Sequence, residues 1–205
     1  MDAKTIVAAI LDDCKLYLSN FYHRAILIGA ILAFFYCLLL LRTVFYRKCS
    51  KTDVLCAIVK IPFVAILGFY FYLVLGVTIL SRGAEDTYIL HLIPFSTWGN
   101  EPWALVLWVE NIFMTIPLGI LLYILWTPFR KAGWSLLAGG LFSLMIESIQ
   151  LFTRLGKFET DDIMNNMLGT LIGFLVCKSI SHFQIRVKKK FYKVGGLFTM
   201  SNFRI

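Results

Sequence analysis

The chain has 205 residues, with 20 Lys+Arg against 12 Asp+Glu for a net charge of +8, yet 59% of it is apolar and only 16% charged. A soluble basic domain carries about a quarter of its residues as charge, and a mean hydropathy of +0.77 leaves too little polar surface to coat a globule. No nucleic-acid partner is expected, and the composition points to an all-α, multi-pass protein of the cell membrane.

Residues 1–24 place Val7, Ile10, Leu11, Cys14, Leu18 and Phe21 on one helical face, with Asp12, Asp13 and Lys15 elsewhere. Two readings stand: an amphipathic interfacial helix, or a solvated extension of the span that follows. This segment mixes acids with bases, and no small-residue cleavage site follows the first apolar run, so no cleavable signal is expected. Five stretches are then long and apolar enough to span a hydrocarbon core, which takes about 17 to 25 residues. The first covers residues 25–41, between Arg24 and Arg42. Residues 54–60 suit a short interfacial segment, and the second span, 61–80, is uncharged with its proline at the start, where a helix tolerates it. Residues 1–24 thus form an N-terminal segment, and 25–80 hold two accessory spans.

The third span, 103–126, has Trp at both ends in the manner of an interfacial belt, and contains Glu110, Asn111 and Pro117. The fourth, 134–152, contains Glu147 and Gln150, and the fifth, 163 to about 180, begins with Asn165 and Asn166. Residues 81–180 form the core unit, and 181–205 a basic tail. There is no internal repeat. The five Cys and three His lack metal-ligand spacing, and no cofactor motif is present, so neither a metal nor a cofactor is expected.

Thirteen Lys and Arg fall on the side holding the 42–51 and 130–131 loops and the tail, against six on the other. The positive-inside rule then sets the N-terminus outside and the C-terminus in the cytoplasm. Residues 163–205 alone hold seven basic and no acidic side chains. Lys188, Lys189, Lys190 and Lys193 there suit an anionic lipid surface, at roughly 1 kcal/mol per basic residue.

Polar groups inside spans are costly and usually face a partner or a cavity. Gly140, Ser143, Glu147 and Gln150 form one stripe on the fourth span, as do Asp162, Asn166, Gly169 and Gly173 on the fifth. The Gly169-x-x-x-Gly173 pair permits close approach of another helix. On the third span Asn111, Thr115 and Gly119 share a face, beside Pro117. In the expected topology these stripes converge at the outer leaflet. Two accounts remain open: interhelical hydrogen-bond glue with Asp161 and Asp162 as helix caps, or a ligand pocket of Asn111, Glu147, Gln150, Asp162 and Asn166. Glu147 favours the second, since neither a cap nor glue explains a carboxylate within a span; it is suited to exchange a proton or, ionised, to hold a cation. Pro94 and Phe95, in Leu92-Ile93-Pro94-Phe95-Ser96-Thr97-Trp98, form an interface anchor or a lid over that pocket.

At these positions the sequence resembles the VanZ-like family of bacterial membrane proteins. The matching pieces are Leu92-Ile93-Pro94-Phe95, Asn111 through Pro117-Leu118-Gly119, Ser143 through Glu147-Ser148-Ile149-Gln150, and Asp161-Asp162 through Asn166-Met167-Leu168-Gly169 with Gly173. They cover about residues 88–174. The resemblance implies a Gram-positive cell-envelope protein associated with low-level resistance to teicoplanin and related glycopeptide antibiotics. It carries Asn111, Pro117, Gly119, Glu147, Gln150, Asp162, Asn166 and Gly169 over as motif positions without chemical roles; Arg154, Lys157 and Glu159 lie where the pattern departs or varies.

Three functions follow as expectations. The first is binding or modifying an envelope lipid or precursor in an outward polar pocket, with membrane lipids and a cell-wall precursor or lipoglycopeptide as partners. The second is an intramembrane enzyme on an envelope lipid or glycan, with Glu147 and Asp162 or Asp161 as its acid and base; no nucleophile motif and no His in the cluster speak against it. The third is a small transporter or flippase, for which five spans without repeats are few unless the chain oligomerises.

Overall fold

The computed structural model describes the backbone of residues 3–46, 50–84, 88–96 and 104–201, and side chains within those segments from residue 4 to residue 185. Five helices among them are long and apolar enough to cross a membrane, as the hydropathy requires. The first, α1 (Ala3–Tyr46), is 44 residues long, about 66 Å at 1.5 Å per residue. That is roughly twice a hydrocarbon core of about 30 Å, so the helix extends beyond the membrane. Among the described residues no break separates residues 3–24 from the first span: the helix runs through Arg24. The N-terminal part docks on its neighbours through Phe21, which lies against Gly76 and edge-on to Tyr72 with 6.4 Å between ring centroids.

Helix α2 (Lys51–Val59) starts on a capping box, in which the Asp53 N–H donates to Ser50 Oγ at 3.1 Å and the Ser50 N–H to Asp53 Oδ2 at 3.3 Å. It ends before Pro62, which has no N–H to carry the ladder on, and α3 (Ile61–Leu75) resumes from Lys60. A π-turn, Gly76–Leu80, closes α3 with the Ser81 N–H donating to Gly76 O at 2.9 Å. Helix α4 (Ala104–Leu125) continues through Pro117, α5 covers Ala132–Thr153, and α6 runs from Thr160 to Ser201. The fifth span therefore starts earlier than residue 163, and its helix passes position 180 without a break. The side chains of Lys188, Lys189, Lys190 and Lys193 lie outside the described residues, as do Thr97, Trp98 and Trp103.

One element was not legible in an all-α pattern. Leu90–His91 (β1) and Phe158–Glu159 (β2) form a two-residue parallel pairing, Leu90 with Phe158 and His91 with Glu159. It ties the segment before α4 to the α5–α6 connection.

Small residues set the helix contacts. A Cβ on Gly169 would strike the Ile112 carbonyl, one on Gly173 the Ile116 carbonyl, and one on Gly119 the Thr170 carbonyl, so α4 and α6 meet backbone to backbone. Gly169 and Gly173 do admit a helix, and it is α4. Gly29 and Gly68 allow the same approach of α1 and α3. The core holds Leu67, Tyr70 and Val74 of α3, Leu118, Leu121, Leu122 and Leu125 of α4, and Ile146 of α5. Phe34, Leu41, Phe113 and Leu141 are exposed on outward faces, as lipid-facing residues are.

Candidate functional site

Helix α4 begins, α5 ends and α6 begins at one end of the bundle, and the polar stripes of all three lie there. On α6, Asp162 accepts a 2.6 Å hydrogen bond from Asn111 Nδ2 of α4. Its neighbour Asp161, 3% exposed, accepts from the Phe95 N–H at 2.6 Å. Phe95 has φ of 65°, the left-handed region that bulky side chains rarely enter. The Asp161 bond and a 3.3 Å bond from Thr160 Oγ1 to the Leu92 carbonyl hold this turn against the start of α6.

Glu147 on α5 is 2% exposed. Its Oε2 accepts from the Glu159 N–H at 2.9 Å, a donor set in place by the β1–β2 pairing. The Asp162 carboxylate is near enough to act on it electrostatically. One turn deeper, Asn166 Nδ2 donates to Ser143 Oγ at 2.8 Å, while the Thr170 hydroxyl returns to the Asn166 carbonyl at 2.8 Å. Asn166 is 2% exposed, and among the described residues its Oδ1 has no hydrogen-bond partner.

Gln150 takes a different course. Its Nε2 donates to the Thr78 carbonyl at 2.8 Å. Thr78 lies in the π-turn, where Arg82 N–H bonds Ile79 O instead, so the side chain satisfies an end carbonyl that the helix leaves open. Gln150 is thus interhelical glue between α5 and α3. Asn111, Asp162, Glu147 and Asn166 follow one another from α4 across α6 and α5, with Asp161 under the Phe95 turn. Pro94 and Phe95 are exposed on that turn, Pro117 is exposed on α4, and Gly119, Gly169 and Gly173 lie buried in the α4–α6 contact.

Arg82 and His91 were not among the sequence candidates. Arg82 follows the π-turn, with Nη1 beside Gly156, and its charge acts on both Glu147 and Asp162. His91 pairs in register with Glu159, which brings an imidazole-bearing residue to the rim of a cluster that held none by sequence proximity. The signal for both was weak, since each sits in a connecting segment whose partners lie more than sixty residues away. Among the described residues no group of three or more His, Cys, Asp and Glu side chains gathers as a metal site. At the opposite end Lys60 Nζ donates to the Leu125 carbonyl at 2.8 Å, and Arg130 stacks over Tyr123 at 5.6 Å. Basic groups thus hold that end, where the helix dipole of α4 favours them.

The VanZ/LLP1 family model matches residues 63–182, more than half of the chain. The match takes in α3, which lies ahead of the motifs that carried the resemblance, and so includes the Thr78 and Arg82 that face the cluster. No curated protein and no solved structure matches the chain.

Proposed function

The chain belongs to the VanZ/LLP1 family, and from that membership and the cluster at one end of its helices we propose that it guards the outer face of a Gram-positive cell membrane. It binds or modifies an envelope lipid or cell-wall precursor there and so contributes low-level resistance to teicoplanin and related lipoglycopeptides. The N-terminus and the cluster lie outside, a reading supported by the excess of Lys and Arg on the opposite side. The observation that carries the proposal is the gathering of three carboxylates at one end of the bundle: Glu147 bonded to the Glu159 N–H, Asp162 to Asn111, and Asp161 to the Phe95 N–H. Burying carboxylates within spans is costly. Asp161 ties the Phe95 turn, and it and Asp162 stand in the first turn of α6, where the helix dipole favours them; Glu147, within α5, has no such reason, and a ligand gives one.

The test expresses Glu147→Gln and Asn166→Ala at wild-type membrane levels and measures teicoplanin susceptibility. Protection falls to that of cells lacking the protein. Unchanged protection in both variants removes the cluster from the explanation.

A second reading, an intramembrane acid–base enzyme, is favoured by one observation. His91 stands in register with Glu159 beside Glu147 and Asp162, and groups in differing environments divide acid and base duties. Turnover of an envelope lipid by the purified protein, lost in Glu147→Gln, supports this reading; a panel of such lipids left unchanged counts against it.

A further inference from the structure

The segment that joins α3 to α4 turns its apolar side chains the wrong way for water. From Tyr88 to Leu92 exposure alternates residue by residue: Tyr88, Leu90 and Leu92 are exposed, while Ile89 and His91 between them are half-buried. Successive side chains of an extended strand point to opposite faces, and a strand resting on a protein in water sets its polar residues outward. In this strand the outward face is one Tyr and two Leu, and the His lies inward. The turn that follows continues the apolar face, with Leu92 60% and Ile93 72% exposed and Phe95 exposed beside them. From residue 88 to residue 96 the sequence has no Asp, Glu, Lys or Arg.

We propose that this face is bedded in the lipid leaflet around the cluster end of the bundle, as a short rigid loop that dips into the apolar phase beside the spans. Its apolar surface is continuous with theirs, since Leu80, Leu105 and Phe152, at the same ends of the π-turn, α4 and α5, are exposed as well. Backbone that enters hydrocarbon must satisfy its polar groups within the protein, and the loop does so on the start of α6 and on itself. The Ile89 carbonyl accepts from the Phe158 N–H at 3.0 Å and the Ile93 carbonyl from the Ser96 N–H at 3.2 Å. The Leu92 carbonyl accepts from Thr160 Oγ1 at 3.3 Å, and the Phe95 N–H donates to the buried Asp161 at 2.6 Å. Pro94 has no N–H to satisfy. Arg154 lies over the Tyr88 ring at 4.6 Å, and a Tyr beside a long basic side chain suits the headgroup level, which marks the rim of the loop. A lid closed over the cluster turns its apolar side chains inward, the reverse of the face seen. This placement goes beyond the functional reading above and holds whatever the cluster binds.

The experiment reconstitutes the full-length wild-type chain in liposomes of phosphatidylglycerol and phosphatidylcholine. One sample carries a phospholipid with a diazirine in its acyl chain and a second receives a water-soluble diazirine; after irradiation the adducts are mapped by peptide mass spectrometry. Phe113, exposed on α4, is the lipid-facing reference, and Lys157, exposed in the α5–α6 connection, the aqueous one. The expected result is lipid label on residues 88–95 at the level of Phe113, with loss of the water-borne label relative to Lys157. Water-borne label on residues 88–95 at the level of Lys157 overturns the proposal. Absence of both labels from these residues, while Phe113 takes the lipid probe, overturns it too, because a partner protein or a second copy then covers the face.

Discussion

Glu147 and Gln150 stand one turn apart on the same stripe of α5, and both are buried, yet they differ in what they meet. Gln150 completes an open carbonyl of α3; Glu147 spends one oxygen on a loop N–H and faces another carboxylate. Replacing Gln150 with Ala removes one interhelical hydrogen bond, worth about 0.6 kcal/mol and at most about 1.7 in membrane helices. The expected result is a small loss of stability in an SDS-titration unfolding experiment with protection retained. Asn111→Ala strips Asp162 of its 2.6 Å donor and leaves a half-buried carboxylate unsatisfied, which costs about 1 to 3 kcal/mol or more; the same titration reads it as a larger loss than Gln150→Ala. The sequence stripes marked these residues as polar and co-facial. They did not divide glue from cluster, because the division depends on which backbone carbonyl or N–H a distant element presents.

Among the elements, α4 and α6 are held by contact of backbone with backbone. Gly169→Val sets a branched side chain against the Ile112 carbonyl and Thr115 Oγ1, and overpacking of that kind costs typically about 1 to 3 kcal/mol, occasionally more. Gly133 has open space around its Cα, so Gly133→Ala is neutral or nearly so; thermal aggregation temperatures of the two purified variants check the contrast. The N-terminal part of α1 makes a separate prediction. Phe21→Ala removes the ring packed on Gly76 and Tyr72, and hydrogen exchange rises in residues 4–20 while residues 25–40, packed through Gly29 on α3, stay protected. The span positions were legible because an apolar run of sufficient length has one physical solution in lipid. The docking of α1 was not. Its face of Val7, Leu11 and Leu18 remains exposed, and the contact that holds it is made by Phe21, whose partners Tyr72 and Gly76 lie in α3 and the π-turn.

For the molecule as a whole, charge and polarity separate along the bundle. Lys60, Arg130 and Lys131 lie at the end where α4 finishes and α5 begins, and the carboxylates lie at the other, where α4 and α6 begin. That division was visible in the sequence as a basic tail and acidic loops. Arg82 was not visible as part of the site, since a single basic residue in an acidic connection carries no pattern until α3 brings it to Glu147 and Asp162. The β1–β2 pairing escaped for a similar reason: two residues on each side are too few to show alternation, although they set the Glu159 N–H that holds Glu147. The most direct measurement of the central claim compares teicoplanin susceptibility in cells carrying Glu147→Gln with that in cells carrying Gln150→Ala, at matched membrane abundance. Loss of protection in the first with retention in the second is the predicted result; equal protection in both, or equal loss, contradicts it.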